Sequence, residues 1–260
     1  MNSRPREFWD TYMQGYDTIG EFRDYTDYLD ELADSLALLP GEAVLDAGIG
    51  TGNFALRLAE RGAEVVGVDF SREALQAYCR KSSRGIAVEA SLEEPLPFAD
   101  AVFDRVTCLS VLFTLSRPGC ALALREFRRV LKPGGDLVVT AMRPGQSKTG
   151  RLWRHLRQRY AVQPAWSFLQ ELAGQLSSLT RMMYHNSRMR RLADCDCYRQ
   201  ISAGQLRAEV SRAGFAEISC GTTFNGFFHL LRARSPQRAT ASGDARTNGD
   251  GGLRVAPGPA

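Results

Sequence analysis

The amino-acid sequence predicts a doubly wound α/β fold, in which helices cover both faces of a parallel sheet. Short apolar stretches that suit buried strands alternate with amphipathic helical stretches over about 140 residues. A glycine-rich turn follows the first of these strands, where folds of this class bind their ligands. A chain of 260 residues is long enough for one such domain with an insertion.

The first helix is predicted over residues 21–39, because its apolar residues recur at three- and four-residue spacing before Pro40-Gly41. "EAVLDAG" then suits a short buried strand, and "NFALRLAERG" suits a helix that ends at Gly62. The second strand, "AEVVGVD", precedes a helix for which Ser71 is the expected N-cap.

The later elements continue the same alternation. "GIAVEA" is predicted as the third strand, and a fourth lies around residues 102–109. The helix in "PGCALALREFRRVLKPGG" is ended by its Pro-Gly-Gly sequence, and "DLVVTAMR" forms the fifth strand. Further along, a helix begins after Ser202, its N-cap, and ends at Gly214. "AEISCGTTFNGFFHLLRARS" contains two more strands joined by the turn "TFNG".

The net charge of +4 is unevenly distributed along the chain. Residues 137–193 contain ten lysines and arginines but one acid, Glu171, so this segment carries +9 and the rest carries −5. The segment has helical patterns and is too long for a structureless connection, so residues 143–199 are predicted to form a helical cap. The remaining predicted units are an N-terminal helical lid (1–40), a core (41–142 and 200–234) and a disordered tail (235–260).

The composition is that of a globular protein, with 44% hydrophobic and 24% charged residues. The sequence has no apolar run of about 18 residues, so no transmembrane helix is expected. Its beginning, "MNSRPREFWD", lacks the apolar core of a signal peptide, so a cytoplasmic protein is expected. The six cysteines are scattered, and we expect free thiols and no metal site.

The glycine-rich turn, "DAGIGTG", differs from the turn that binds dinucleotides. That fingerprint is G-x-G-x-x-G, but the sixth position counted from Gly48 is Asn53. The carboxylate of Asp46, two residues before Gly48, would repel a pyrophosphate and attract a cation. S-adenosylmethionine carries an ammonium group and an adenosine without phosphates, and therefore fits both observations. The alternative is that Asp46 only caps the following helix.

A second acid, Asp69, ends the second strand and is placed to accept hydrogen bonds from both ribose hydroxyls of a nucleoside. This feature is common to proteins that bind NAD and proteins that bind adenosyl groups, so it does not distinguish them. The next residue, Phe70, is expected to pack on the adenine face, with ordinary core packing as the alternative.

Three stretches carry a resemblance to a known family: "VLDAGIGTGNFALRLAERGAEVVGVDFSREAL", "LPFADAVFDRVTCLSVLFTL" and "REFRRVLKPGGDLVV". They resemble successive motifs of the class I S-adenosylmethionine-dependent methyltransferases, and most closely the small-molecule branch with the ubiquinone/menaquinone biosynthesis methyltransferases. The resemblance covers about residues 8–145, with a weaker similarity in the last two strands. It implies a methyl-transferring enzyme (EC 2.1.1) with strand order 3-2-1-4-5-7-6, the seventh strand being antiparallel.

The resemblance also implies roles for individual residues. Ser91 and Leu92 are expected at the adenine, because the segment before "LPF" is one residue longer here and has Ser91 as the nearest counterpart of an Asp that the family often has. Leu109 would line the sulfonium end, and Tyr16 would fold over the cofactor. The methionine part and the ribose would be held by Asp46, Ala47, Gly48, Gly50 and Asp69.

Methyl transfer from a sulfonium is an in-line displacement that needs positioning rather than a metal, and positioning can supply about 7–11 kcal/mol. A hydroxyl nucleophile would also need a base. The tip of the fourth strand lacks the Asn-Pro-Pro-Tyr-like motif of enzymes that methylate amino groups of nucleic acids. Among the three histidines, His185 is the preferred base, because His155 lies among arginines and His229 lies in a strand pattern.

The basic cap leaves three interpretations of the acceptor. The preferred one is a small molecule with an acidic group, bound by some of Arg151, Arg154, Arg188 and Arg191. The second is RNA or another nucleic acid, disfavoured by the small net charge and by the lack of an RNA-binding module. The third is a surface for a partner or a membrane, and the cap could also join two copies in a homodimer.

Overall fold

The computed structural model describes residues 6–13, 16–17, 23–144 and 201–237. The helices in these residues are α1 (Arg6–Met13), α2 (Arg23–Asp34), α3 (Asn53–Glu60), α4 (Arg72–Lys81), α5 (Arg117–Val130) and α6 (Ala203–Arg212). The strands are β1 (Ala43–Ala47), β2 (Glu64–Asp69), β3 (Ile86–Glu89), β4 (Phe103–Leu109), β5 (Leu131–Met142), β6 (Ala216–Thr223) and β7 (Phe228–Arg234). A short 3₁₀ helix, Leu112–Thr114, follows β4.

The seven strands form one sheet in the order β3-β2-β1-β4-β5-β7-β6. Strands β1 to β5 pair in parallel, whereas β7 pairs antiparallel with both β5 and β6. The predicted doubly wound fold, the strand order and the direction of the seventh strand are therefore confirmed.

Two hydrophobic clusters lie on opposite faces of the sheet, because successive strand residues point to opposite sides. In β1, Leu45 belongs to the cluster that includes residues of α5 and α6, such as Phe127 and Leu206. Its neighbour Val44 belongs to the cluster formed with α2 and α3, which includes Leu29 and Leu58. Helix α2, assigned from the sequence to the lid, is thus part of the core.

Two helices end earlier than predicted. Helix α2 ends at Asp34, and Ala37 adopts a left-handed φ of 47° that cannot continue a right-handed helix. Leu36 is still buried, whereas Leu39 is 70% exposed. Helix α5 ends at Val130, and the Pro-Gly-Gly sequence predicted to end it lies inside β5, where the pairing with β4 shifts register. In both cases, residues that match the helical periodicity are buried by tertiary packing without being helical.

The amino-terminal edge of the parallel strands is occupied by an ion-pair network. The Arg105 guanidinium donates to Glu42 at 3.0 Å and to the Leu36 carbonyl at 2.8 Å, and Asp136 lies 3.4 Å away. The carboxyl edge of the sheet is therefore the end that remains for a ligand, as is usual in this fold class.

Several expectations concern residues that are not described. The predicted cap lies outside the described residues except for its first two, and the tail lies outside them from residue 238 onward. Ser235, the first residue of the predicted tail, is buried, and its amide donates to the Gly135 carbonyl at 2.8 Å, so it extends the sheet. Among the described helices, none is long and apolar enough to cross a membrane.

Candidate cofactor and acceptor site

The glycine-rich turn after β1 needs glycine for conformation and for space. Gly48, Gly50 and Gly52 have φ values of 76°, 55° and 80°, a region that favours glycine. A Cβ at Gly48 would lie 2.4 Å from a Val111 methyl group, and a Cβ at Gly52 would lie 2.1 Å from the Tyr78 ring. The turn is therefore packed closely between the tip of β4 and helix α4.

The backbone amides of this turn donate within the protein. Those of Gly48 and Ile49 donate to the Val68 carbonyl at 2.7 and 2.9 Å, and that of Gly52 donates to the Ile49 carbonyl at 3.0 Å. The Gly50 amide donates to Asp69 at 2.9 Å. A pyrophosphate site needs amides that point at the ligand. The amides of Gly48, Ile49, Gly50 and Gly52 are thus occupied within the protein and do not point at a pyrophosphate.

Asp46 is a buried acid beside the turn, with 3% exposure. It lies between Gly67 of β2 and Thr107 of β4, and the Thr107 hydroxyl donates to its carboxylate at 2.7 Å. Burial raises its pKa from 3.8 to about 7, and the Thr107 hydrogen bond opposes this effect. The N-cap of α3 is Gly52, without a side-chain cap, so the alternative role of Asp46 as a helix cap is wrong.

Asp69 holds the turn through its carboxylate, which accepts the amides of Gly50 and Ser71, each at 2.9 Å. Burial raises its pKa, and these backbone hydrogen bonds oppose that effect. A carboxylate has about four lone-pair positions, and the backbone amides do not occupy all of them, so a ribose hydroxyl can still be accepted. The predicted ribose contact is compatible with this geometry.

The N-terminal segment lies over the glycine-rich turn and the start of α4. The Ser71 hydroxyl donates to Asp10 at 2.5 Å, and Lys81 donates to Asp17 at 2.8 Å. The Trp9 ring meets the half-buried Phe70 ring edge-on, with centroids 6.3 Å apart. These contacts agree with the expectation that the segment forms a lid.

The other predicted cofactor residues are distributed around the same edge. Ser91 and Leu92 directly follow β3; the Ser91 hydroxyl accepts the Glu93 amide at 3.1 Å, and Leu92 is buried. Leu109 ends β4, and the Tyr16 hydroxyl lies 3.4 Å from that of Tyr25. Their contacts with a cofactor stay predictions.

The predicted catalytic base His185 lies outside the described residues, as do the predicted acceptor-binding residues Arg151, Arg154, Arg188 and Arg191. The proposed homodimer surface lies there too. His229 is described: it is buried in β7, opposite Ala141 of β5. Burial and the charge of Arg143 lower its pKa. In the described part of the chain, no three potential metal ligands are grouped together.

Sequence reasoning missed several residues at this edge. Thr107 contacts Asp46 only because of the register between β1 and β4, for which the sequence has no signal. Ser110 has a left-handed φ of 58°, and its amide donates to the Thr140 hydroxyl at 3.0 Å. Tyr28 has no distinguishing sequence signal, because it lies in the apolar face of a predicted helix.

An aromatic wall adjoins the tip of β4, formed by Tyr25 and Tyr28 of α2 with Phe224 and Phe228 of the β6–β7 hairpin. The Tyr28 ring lies 4.8 Å from Phe224 and 5.9 Å from Phe228, measured between centroids. The partly buried Leu109 packs against the same cluster. The wall therefore borders the place where the sulfonium end of the cofactor is predicted.

Comparisons with known proteins bear directly on this site. A family model described as a methyltransferase domain matches residues 45–139, which run from β1 into β5. The malonyl-[acyl-carrier protein] O-methyltransferase of Erwinia pyrifoliae is 37% identical over 146 residues, covering 53% of this chain and 53% of that protein. The demethylmenaquinone methyltransferase of Renibacterium salmoninarum is 41% identical over 108 residues, covering 42% of this chain and 44% of that protein. Residues 45–139 therefore match a methyltransferase domain of the type found in the class I S-adenosylmethionine-dependent methyltransferases.

The matched region carries the glycine-rich turn, Asp46 and Asp69, and the cofactor that the match indicates is S-adenosylmethionine. The chain spans about half the length of the curated relatives it matches. A crystal structure from Thermotoga maritima, described as a SAM-dependent methyltransferase and possible histamine N-methyltransferase, superposes with a TM-score of 0.58. The match covers 88% of this chain and 98% of that one at 19% identity, so it shows the shared fold.

Proposed function

We propose that this chain transfers the methyl group of S-adenosylmethionine to a small-molecule acceptor. The observation that carries the proposal is the combination of a buried carboxyl, Asp46, with a glycine-rich turn whose amides donate within the protein. A ligand suited to this pair brings a cation to Asp46 and needs no phosphate-binding amides. The methionine ammonium of the cofactor meets both conditions.

The acceptor is proposed to carry an acidic group. The relatives' names refer to a malonyl-[acyl-carrier protein] and to a demethylmenaquinone, so similar cofactor regions serve acceptors of different chemistry. The support from this chain is its charge distribution, with +9 on residues 137–193. Arg143 of this basic segment lies within the described residues, at the carboxyl end of β5. Its guanidinium donates to the Gly226 carbonyl at 2.8 Å.

The transfer is proposed to proceed by in-line displacement at the sulfonium methyl. The acceptor atom attacks as the bond to sulfur breaks, and S-adenosylhomocysteine leaves as a neutral thioether. The enzyme's contribution is to hold the two reactants in line. The lid, Leu109 and the aromatic wall are the elements placed to do so and to exclude water.

Titration calorimetry with S-adenosylhomocysteine and with NAD tests the cofactor assignment. We expect measurable binding of the former and none of the latter, because the turn offers the Asp46 carboxyl to a cation, and that carboxyl would repel a pyrophosphate. Tighter binding of NAD would overturn the proposal. Incubation with methyl-labelled S-adenosylmethionine and candidate acceptors then tests methyl transfer itself.

A further inference from the structure

The hydroxyl of Tyr28 is a buried polar group without a hydrogen-bond partner. Tyr28 is 5% exposed, and its Oη is among the buried side-chain atoms of the described residues that lack a partner. Such atoms are rare in native proteins, and each one calls for an explanation such as a ligand. The nearby Thr140 hydroxyl interacts with Tyr28, but without hydrogen-bond geometry.

This hydroxyl lies beside the tip of β4. Thr140, its neighbour, pairs with Leu109 and accepts the Ser110 amide at 3.0 Å. Leu109 and Ser110 form the end of β4, where the transferable methyl group is predicted. Successive residues of a strand point to opposite faces of the sheet. By this alternation, the α2 side of the sheet, where Tyr28 lies, also carries the side chains of Asp46, Thr107 and Leu109.

Two residues near Tyr28 have a left-handed backbone: Phe224, which contacts it, and Ser110, which contacts its neighbour Thr140. Ser110 has a φ of 58°, and Phe224, whose ring packs on Tyr28, has a φ of 50°. Left-handed backbone is unfavourable for a residue as bulky as phenylalanine. Strain of this kind persists where the surrounding structure enforces it, and it concentrates at functional sites. The packing around Tyr28 therefore holds both backbone conformations in place.

The Tyr28 hydroxyl is suited to donate a hydrogen bond. Burial raises its pKa, and burial also raises the pKa values of its titratable neighbours Tyr16 and Tyr25. These three phenols therefore keep their protons at neutral pH. A protonated phenol that lacks a partner can stabilise an anion, but it cannot serve as the base that takes a proton from the acceptor.

We propose that Tyr28 Oη donates a hydrogen bond to an ionised oxygen of the acceptor, and that this oxygen attacks the methyl group. The inference rests on the proposed function. The oxygen forms a bond to the methyl carbon while the carbon–sulfur bond breaks, and sulfur keeps the bonding electron pair. No proton moves in this step, because the acceptor enters as its anion. The acceptor is accordingly a phenol or a carboxylic acid, and not an amine or a thiol.

The test uses the full chain, methyl-labelled S-adenosylmethionine and a panel of phenols, carboxylic acids, amines and thiols. We expect labelled products from phenols or carboxylic acids alone. The Tyr28→Phe variant should lower kcat/KM for the acceptor about tenfold or more below the acceptor's pKa, since the hydrogen bond favours its ionised form. The rise of kcat with pH, which reports the pKa of the bound acceptor, should move up by about one unit.

The matched control is Tyr25→Phe, in the same helix, whose hydroxyl already lies 3.4 Å from that of Tyr16. In this variant the rise of kcat with pH should stay at the wild-type position. Exclusive methylation of amines or thiols, no labelled phenol or acid, or an unchanged pH profile in Tyr28→Phe would each overturn the inference. Failure of the wild-type protein to bind S-adenosylhomocysteine would instead overturn the proposed function.

Discussion

At the scale of single residues, Asp46 dominates the electrostatics of the site. Its folded pKa of about 7 exceeds the unfolded value of 3.8, so the native protein holds this proton more tightly than the unfolded chain does. The resulting stabilisation is complete below the unfolded pKa and is lost as pH rises through about 7. In the cofactor-free protein above that pH, the charged carboxylate is buried without a cation.

The raised pKa of Asp46 predicts that the stability of the wild-type protein falls as pH rises, and that the Asp46→Asn variant lacks this dependence. Between about pH 4 and pH 8, the wild-type protein should lose on the order of a few kcal/mol relative to the variant. Denaturant unfolding of both proteins at several pH values measures the difference. Saturation with S-adenosylhomocysteine should reduce the loss, because the ligand's ammonium group stabilises the charged form. Parallel curves for the two proteins would show that Asp46 is not the cause.

Asp69 has two roles, and Asp69→Ala should affect both. The affinity for S-adenosylhomocysteine should fall by about 1–3 kcal/mol, because the ribose hydroxyls lose charge-assisted hydrogen bonds. The melting temperature should fall too, because the Gly50 and Ser71 amides lose their acceptor. Glu89→Ala is a matched control, since Glu89 ends the neighbouring strand β3 but pairs with the exposed Arg72. Calorimetry showing equal affinities for wild type and Asp69→Ala would place the ribose elsewhere.

Asp46 and Asp69 could be found from the sequence, because each lies at the end of a strand that the apolar residues of the same segment predict. Thr107 could not be found, since its contact with Asp46 depends on how β1 and β4 pair. Tyr28 could not be found either, because a buried tyrosine in an apolar helix face looks the same with or without a partner for its hydroxyl. Contacts within one segment were predictable, whereas contacts between segments were not.

At the scale of elements, two glycines of the glycine-rich turn, Gly50 and Gly52, differ in the space around them. Gly50 and Gly52 both have positive φ, but a Cβ at Gly50 would meet only Met13, at 3.8 Å, whereas one at Gly52 would meet the Tyr78 ring at 2.1 Å. Gly50→Ala should cost about 1–2 kcal/mol from the left-handed conformation alone. Gly52→Ala should cost more, by about 1–3 kcal/mol, because Tyr78 must move. Urea unfolding of both variants measures the difference, and equal losses would contradict the packing argument.

The ends of helices show what local sequence specifies. Ser71 and Ser202 were predicted as N-caps, and their side chains accept the amides of Ala74 and Gln205. These caps depend on residues three apart, so the sequence contains the whole interaction. The predicted ends at residue 39 and at the Pro-Gly-Gly sequence were wrong. There, Leu36 and Leu131 are buried without being helical, whereas Leu39 is exposed, so the apolar spacing did not mark the ends of the helices.

At the scale of the whole molecule, the strand order was implied by the family resemblance, and the structure and the family match agree with it. The alternation of strands and helices gave the fold class directly. The proposed acceptor side could not be predicted in the same way, because the aromatic wall combines α2, the β6–β7 hairpin and the tip of β4, which are distant in sequence. Its chemistry therefore depends on tertiary packing.

The uneven charge of the chain leads to a test of the acceptor class. Binding of a nucleic acid through many phosphates would weaken about 10³–10⁵-fold between about 50 and 200 mM salt. An acidic small molecule held by one or two ion pairs should show a much smaller change in KM over that range. We expect the smaller change, with S-adenosylhomocysteine affinity at each salt concentration as the control. A steep salt dependence, or retention on RNA at physiological salt, would favour the nucleic-acid interpretation.

The hydroxyl of Ser71 couples the lid to the helix beneath it. It accepts the Ala74 amide at 3.2 Å and donates to Asp10 of α1 at 2.5 Å. If the lid lifts, this hydroxyl loses its acceptor and is free to turn away from Ala74. Deuterium exchange at the Ala74 amide should therefore slow when S-adenosylhomocysteine binds and quicken in Asp10→Ala. The Gln205 amide, capped by Ser202 at the same 3.2 Å, should exchange at an unchanged rate. One backbone amide would thus report the opening of the cofactor site before any acceptor is known.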